Sequence, residues 1–243
     1  MKGIILAAGV ASRLRPLTDA LPKCLLEIGK KSLLERTLSN LLREGVTDLI
    51  IVTGFKEEMI RAFVAKRFPG LDVVYIHNPR FDATNNIYSL WLARDLISDN
   101  GIMLLDSDLL FDGRIIEALL SSPHENCIAL CRHELGEEEI KVIVDDRNRI
   151  TEISKTCSIE KAMGESLGIE KFSPPLVTDL FRELDQMIIE ENQVSIFYEK
   201  AFERIIKKGA AIHPVDITHL FSMEIDTPED FERASRCIPE HLL

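Results

Sequence analysis

Three stretches of this 243-residue chain combine residue types that handle phosphate. The first is Leu6-Ala7-Ala8-Gly9-Val10-Ala11-Ser12-Arg13-Leu14-Arg15-Pro16-Leu17-Thr18, followed by Pro22-Lys23. Small residues after an apolar run let backbone N–H groups approach a ligand closely. Two arginines and a lysine in one loop supply the donors and positive charge that a triphosphate needs. A tight turn with a solvated basic loop has the same spacing, and the stretch carries neither G-x-x-x-x-G-K-[ST] nor G-x-G-x-x-G. The second stretch is Leu104-Leu105-Asp106-Ser107-Asp108, an apolar strand ending in two acids. Carboxylates there suit Mg²⁺, which takes hard oxygen ligands and shares them with phosphate. The third is Met223-Glu224-Ile225-Asp226-Thr227-Pro228-Glu229-Asp230. On a strand Glu224 and Asp226 point to the same face, although Asp226 also stands where a helix cap belongs.

Two further segments say less by themselves. Lys155 closes the run Ile150-Thr151-Glu152-Ile153-Ser154, where a lysine is usually just solvated. Asn85-Asn86-Ile87-Tyr88-Ser89-Leu90 opens a helix, and small polar side chains there both cap a helix and read the edge of a base. The histidines are scattered, and Ser12 has no histidine partner for nucleophilic catalysis. Cys127 and Cys131 share a strand face, but no second ligand pair accompanies them, so they read as structural thiols.

Taken together, Leu-Ala-Ala-Gly-x-x-Ser-Arg-Leu-x-Pro-Leu-Thr and the following Pro-Lys resemble the signature of the nucleotidyltransferase superfamily. That superfamily includes the sugar-1-phosphate nucleotidyltransferases and cytidylyltransferases. The chain departs from it at Ala11, where the family usually has a second glycine. The resemblance implies that the backbone of Leu6, Ala7, Ala8 and Gly9 binds base and phosphates and that Arg13 and Lys23 meet the triphosphate. It also implies that Asp108 and Asp226 hold Mg²⁺ and that Lys155 binds the acceptor's phosphate. Asp106 is a further metal ligand or a ribose contact, and Glu224 is a third candidate ligand. The Asn85-Asn86 segment, with Ser89, resembles the phosphocholine cytidylyltransferases of bacterial surface-polymer pathways and their aminoethylphosphonate relatives. The implied reaction is Mg²⁺-dependent transfer of CMP from CTP to a small phosphorylated or phosphonate acceptor, releasing pyrophosphate. An amine head group on that acceptor would be met by aromatics and carboxylates, for which Glu165, Phe197, Tyr198, Glu199 and Asp216 are available. The rivals are a sugar-1-phosphate nucleotidyltransferase using UTP or dTTP and a nucleotide-binding regulatory module without turnover. The Asn85-Asn86 segment argues against the first, and the presence of both aspartates against the second.

These residues need a scaffold that brings distant segments to one edge. The sequence predicts strands at 4–6, 48–52, 72–76, 102–105 and 127–131, with helices at 32–44, 57–67, 86–97 and 113–121. Ser32 and Glu35 form a capping box, and Gly45 stops that helix. Strands of continuous Val, Ile and Leu, alternating with helices, indicate a parallel sheet buried on both faces. Ligands bind such sheets at the carboxyl ends of the strands. Further on, a hairpin at 141–144 and 150–154, strands at 168–172, 212–215 and 223–225, and helices at 174–190, 197–208 and from Thr227 are expected. The predicted fold class is α/β: a doubly wound, mostly parallel, Rossmann-like mixed sheet with helices on both faces and a smaller β-rich acceptor portion. No linker is evident, so residues 1–243 are expected to form one domain, with a nucleotide half at 1–135 and an acceptor half at 136–243. The net charge of −11 excludes a general nucleic-acid-binding face. No apolar run reaches the roughly 18–20 residues that span a bilayer, so a soluble, cytoplasmic protein is expected, and a homodimer is left open.

Overall fold

The computed structural model describes residues 1–97 and 100–243. The chain runs through β1 (Lys2–Ala7), a short hairpin of β2 (Glu27–Ile28) and β3 (Lys31–Ser32), α1 (Leu33–Arg43), β4 (Asp48–Thr53), α2 (Glu57–Arg67), β5 (Val73–His77) and α3 (Asn86–Leu92). It continues with β6 (Ile102–Asp106), β7 (Leu109–Phe111), α4 (Arg114–Ser121), β8 (Cys127–Cys131), β9 (Lys141–Val144), β10 (Ile150–Ser154) and β11 (Gly164–Phe172). It ends with α5 (Pro174–Asp185), α6 (Glu199–Lys207), β12 (His213–Asp216), β13 (Ser222–Glu224) and α7 (Pro228–Cys237).

The predicted doubly wound α/β sheet is present. Strands β5, β4, β1 and β6 lie side by side and parallel, so Ala7 is level with Thr53, and Leu6 with Asp106. Their carboxyl ends therefore form one edge. Helices α3, α5 and α6 cover one face through Ile87, Leu90, Leu180 and Phe202. Helices α1, α2 and α4 cover the other through Leu38, Leu41, Ile60 and Ile115. Inner strands are buried on both faces as their unbroken apolar runs require, whereas edge strand β5 leaves Val74 exposed.

Strand β11 opens the cleft. Its second half, Ile169 to Phe172, runs antiparallel to β6. Gly168 adopts φ +66, a left-handed conformation that favours glycine. Beyond it, Glu165 and Gly164 leave β6 and pair with Lys141 and Val142 of β9. The sheet thus splits just where β6 ends, and the β9–β10 hairpin stands off as the far wall. This strand extends four residues upstream of the predicted 168–172, because Glu165 and Ser166 break the apolar run while their backbone continues the ladder.

Other boundaries also moved. The helix expected over 86–97 ends at Leu92 and tightens to a 3-10 turn at Arg94–Leu96. The predicted capping box at α1 is half formed: Ser32 accepts from the Glu35 N–H at 3.1 Å, but the Glu35 carboxylate turns to Arg67 instead. Thr227 and Asp230 do form a reciprocal box at α7, with Pro228 in its first turn. The pairing of β7 with β13 escaped the sequence reading, and it proves important. It sets Glu224 opposite Leu109, and the Ile225 N–H donates to the Asp108 carbonyl at 3.1 Å. Two segments over a hundred residues apart are thereby laced together beside the sheet edge.

Candidate active site

An open cleft of about 920 Å³ lies over the carboxyl ends of β1 and β6. Every residue that the family resemblance assigned to nucleotide, metal or phosphate lines it, whereas Arg15 of the same basic loop does not and pairs with Asp19. Its floor begins at the β1 turn, where Ala7 and Ala8 are buried and Gly9 follows. Gly54 lets this turn pass close by, since a side-chain carbon there would come within 2.6 Å of the Ala8 carbonyl oxygen. Ala11 sits at φ 51, the left-handed region where the resemblance leads one to expect glycine. The Thr18 hydroxyl and the Leu14 N–H both donate to its carbonyl, which holds the loop in that shape despite the extra methyl.

The charged centre is compact. Lys23, only 12% exposed in its side chain, donates to Asp108 at 2.9 Å and to Asp226 at 2.5 Å. Arg13 reaches Asp226 from the solvent side. Burial alone would lower the Lys23 pKa, but the two aspartates outweigh it and raise the value above that of an ordinary lysine. Carboxylate oxygens of Asp108, Glu224 and Asp226 lie within 4.8 Å of one another. Partial desolvation against the cleft wall, then repulsion from Asp108 and Asp226, pushes the Glu224 carboxyl up to about 8, although the residue still reaches solvent. Three hard oxygen ligands crowded together, one of them short of positive charge, fit a divalent cation of the Mg²⁺ type.

Asp106 stands apart from this cluster. Its Oδ2 accepts from the Tyr198 hydroxyl at 3.0 Å and abuts Gly168, whose missing side chain makes the room. Burial first, then Asp108 and Glu199, raise the Asp106 pKa well above the usual carboxylate range. Asn85 caps α3 by accepting from the Asn86 N–H at 2.7 Å. The Asn86 side-chain oxygen accepts from the Tyr198 N–H at 3.0 Å, leaving its amide NH₂ for other partners. Ser89 is nearly buried and takes a hydrogen bond from Asn78.

The far wall carries Lys155. Its ammonium pairs with Glu138 at 3.0 Å and lies 4.8 Å from the Phe197 ring centre. Of the five side chains considered for an amine head group, Glu165, Phe197 and Glu199 line the cleft. Tyr198 lies behind the wall, fully buried, because its hydroxyl is drawn in by Asp106 and Glu170. Asp216 turns away to pair with Arg132 at 2.8 Å.

Sequence reasoning missed Lys141, Gly168 and Gly54. Lys141 is 1% exposed, and its ammonium donates to the carbonyls of Glu137, Glu139 and Lys155. It ties the 137–139 loop to the Lys155 strand end. A lysine opening an apolar strand was its one visible signal. For Gly54 the signal was a glycine straight after a strand, and Gly168 stood at a predicted strand start.

The profile of the nucleotidyl transferase family matches residues 2–131, more than half the chain. The chain belongs to this family. Among its relatives are a CMP-5'-(3-aminopropyl)phosphonate synthase of Streptomyces rubellomurinus, 27% identical over 96% of this chain and 38% of the relative. The 2-aminoethylphosphonate cytidylyltransferase of Lancefieldella rimae is 25% identical over 91% of this chain and 87% of its own length. The choline-phosphate cytidylyltransferase of Streptococcus pneumoniae is also 25% identical, over 96% of both chains. The solved CTP:phosphocholine cytidylyltransferase from Streptococcus pneumoniae superposes with a TM-score of 0.80 at 23% identity, covering 98% of this chain and 99% of that one. This chain thus spans well under half of the first relative and nearly all of the third. As a nucleotidyltransferase it is an enzyme, and family members generally use a divalent metal, which the acidic cluster fits. No helix among the described residues is long and apolar enough to cross a membrane.

Proposed function

We propose that this nucleotidyltransferase transfers CMP from CTP to a small phosphorylated or phosphonate acceptor and releases pyrophosphate. The observation that carries the reading is one cleft with two cationic poles: Arg13 and Lys23 beside the acidic cluster, and Lys155 on the facing wall. The first pole takes the triphosphate, with the N–H groups of the Ala7-Ala8-Gly9 turn approaching base and phosphates. Lys155 takes the acceptor's phosphate or phosphonate. An acceptor oxygen attacks the α-phosphorus in line. The new oxygen–phosphorus bond forms as the bond to the bridging oxygen breaks, and the electron pair leaves on pyrophosphate. That acceptor oxygen is already ionised near neutral pH, so the protein contributes positioning and charge rather than a nucleophile or a strong base. A divalent cation held by Asp108, Glu224 and Asp226 would supply the positive charge that spreads the load on the reacting phosphate oxygens. The free amide of Asn86 is the group offered to a cytosine edge, and the cytidylyltransferases among the relatives favour CTP.

The test is pyrophosphate release over four nucleoside triphosphates, each with aminoalkylphosphonates, phosphocholine and several sugar 1-phosphates. Release that depends on CTP and on a phosphorylated or phosphonate acceptor is expected. Release with UTP or dTTP and a sugar 1-phosphate instead would replace this reading with the sugar-nucleotide one, which the relative from Haloferax volcanii, a UTP–glucose-1-phosphate uridylyltransferase 23% identical to this chain, keeps in view.

A further inference from the structure

The far wall of the cleft has a feature that phosphate binding does not use. Glu199, the first residue of α6, lines the cleft yet is only 6% exposed. Its Oε2 is buried and has no hydrogen-bond partner. Buried carboxylate oxygens are normally satisfied, and leaving one bare costs free energy unless a ligand's donor meets it. Lys155 is close enough to act on Glu199 electrostatically but spends its ammonium on Glu138 and the Phe197 face. Burial pushes the Glu199 carboxyl up to about 7, and a cation held beside it would restore its charge.

The aromatic lining of the cleft narrows what that cation is. A trimethylated ammonium has no N–H and is recognised by several ring faces arranged as a cage. The phenyl rings on this cleft are Phe81 and Phe197. Phe81 packs with Phe55 and His77 beside Gly54, on the nucleotide side. Phe197 is the one phenyl ring on the far wall among the described residues, and a single face makes no cage. An aromatic cage is therefore absent from the described residues, whereas a bare carboxylate oxygen is present.

We propose that the acceptor is a short zwitterion whose head group is an ammonium bearing N–H, and that Glu199 is its counter-ion and chooses it over a trimethylated one. Lys155 and Glu199 then meet the two opposite charges of one small molecule from the same wall. This deepens the transfer reading and rests on it.

The test compares 2-aminoethylphosphonate with its N,N,N-trimethyl analogue and with uncharged ethylphosphonate, each with CTP and Mg²⁺, in the native enzyme and in Glu199→Gln. In the native enzyme kcat/KM for the primary amine should exceed that of both analogues by at least about tenfold, the usual consequence of a buried acceptor left without its donor. Glu199→Gln, which keeps the shape, should erase that preference by raising the KM of the aminophosphonate, with the KM of CTP and the melting temperature near native. Equal or better turnover of the trimethylated or uncharged acceptor by the native enzyme would overturn the head-group assignment while leaving CMP transfer intact. A preference that survives in Glu199→Gln would overturn the role of Glu199. Absence of pyrophosphate with every acceptor would instead overturn the transfer reading on which both depend.

Discussion

Replacing Lys23 by methionine tests the charged centre most sharply, because the change keeps the bulk of the side chain and removes only its charge. Lys23 is 12% exposed and contacts Asp108 and Asp226 at 2.9 and 2.5 Å. In the working enzyme its assigned partner is triphosphate. A unit charge about 4 Å from a phosphate oxygen is worth about 4 kcal/mol at an effective dielectric of about 20, and a charge-assisted hydrogen bond nets about 1.5–3 kcal/mol. Taking about 3 kcal/mol, kcat/KM for CTP should fall on the order of a hundredfold, at about 1.4 kcal/mol per factor of ten. The same change has a second, independent consequence. Asp108, Glu224 and Asp226 lose the ammonium that sits among them, Asp226 keeps Arg13, and the two aspartates are each 25% exposed. Water screens part of the loss, so the cost is about 1–2 kcal/mol rather than the 3–5 kcal/mol of a fully buried broken pair. That corresponds to a fall in melting temperature of roughly 2–8 °C for a chain of this size. Without nucleotide, Mg²⁺ should bind Lys23→Met more tightly than the native protein, because the ammonium no longer competes for the carboxylates. Steady-state kinetics, thermal unfolding and a Mg²⁺ titration followed by melting temperature check the three parts. Near-native turnover together with an unchanged melting temperature would refute the reasoning.

Ala11→Gly should raise stability by up to about 1 kcal/mol, because an L-residue in the left-handed region costs about 1–2 kcal/mol and glycine returns part of that as chain entropy; the urea midpoint reads it. Gly168→Ala should cost at least about 1–2 kcal/mol for the same backbone reason. It should also lower turnover, since the new carbon would stand 2.6 Å from the Asp106 Oδ2. Lys141→Met removes a buried donor from three carbonyls. A loss of about 1–3 kcal/mol in unfolding free energy is expected, with a rise in acceptor KM larger than any change in CTP KM, because the Lys155 strand end loses its tie.

Much of the fold was legible because its physics is local. The apolar runs of β1, β4 and β6, the Gly45 stop and the Thr227-Pro228 helix start each depend on neighbouring residues, and each appears where expected. What escaped depends on contacts remote in sequence. Nothing near Leu109 announces that it pairs with Glu224. Glu35 satisfies a capping pattern, yet its carboxylate goes to Arg67 on another helix. The same division holds at the site. Runs of unusual composition marked Arg13, Lys23, Asp108 and Asp226, and the fold brings them together. Tyr198 and Asp216 were set beside Glu199 for an amine, but Tyr198 is recruited inward by Asp106 and Asp216 outward by Arg132. Lys141 looked like any surface lysine until three carbonyl oxygens converged on it.

Phosphorus NMR of the enzyme with CTP, Mg²⁺ and 2-aminoethylphosphonate tests the central claim most directly. CMP transfer requires that pyrophosphate appear in step with a new product in which the α-phosphorus of CTP is joined through oxygen to the phosphonate. Loss of the γ-phosphate as inorganic phosphate, or unchanged CTP with every acceptor under metal-replete conditions, would contradict it.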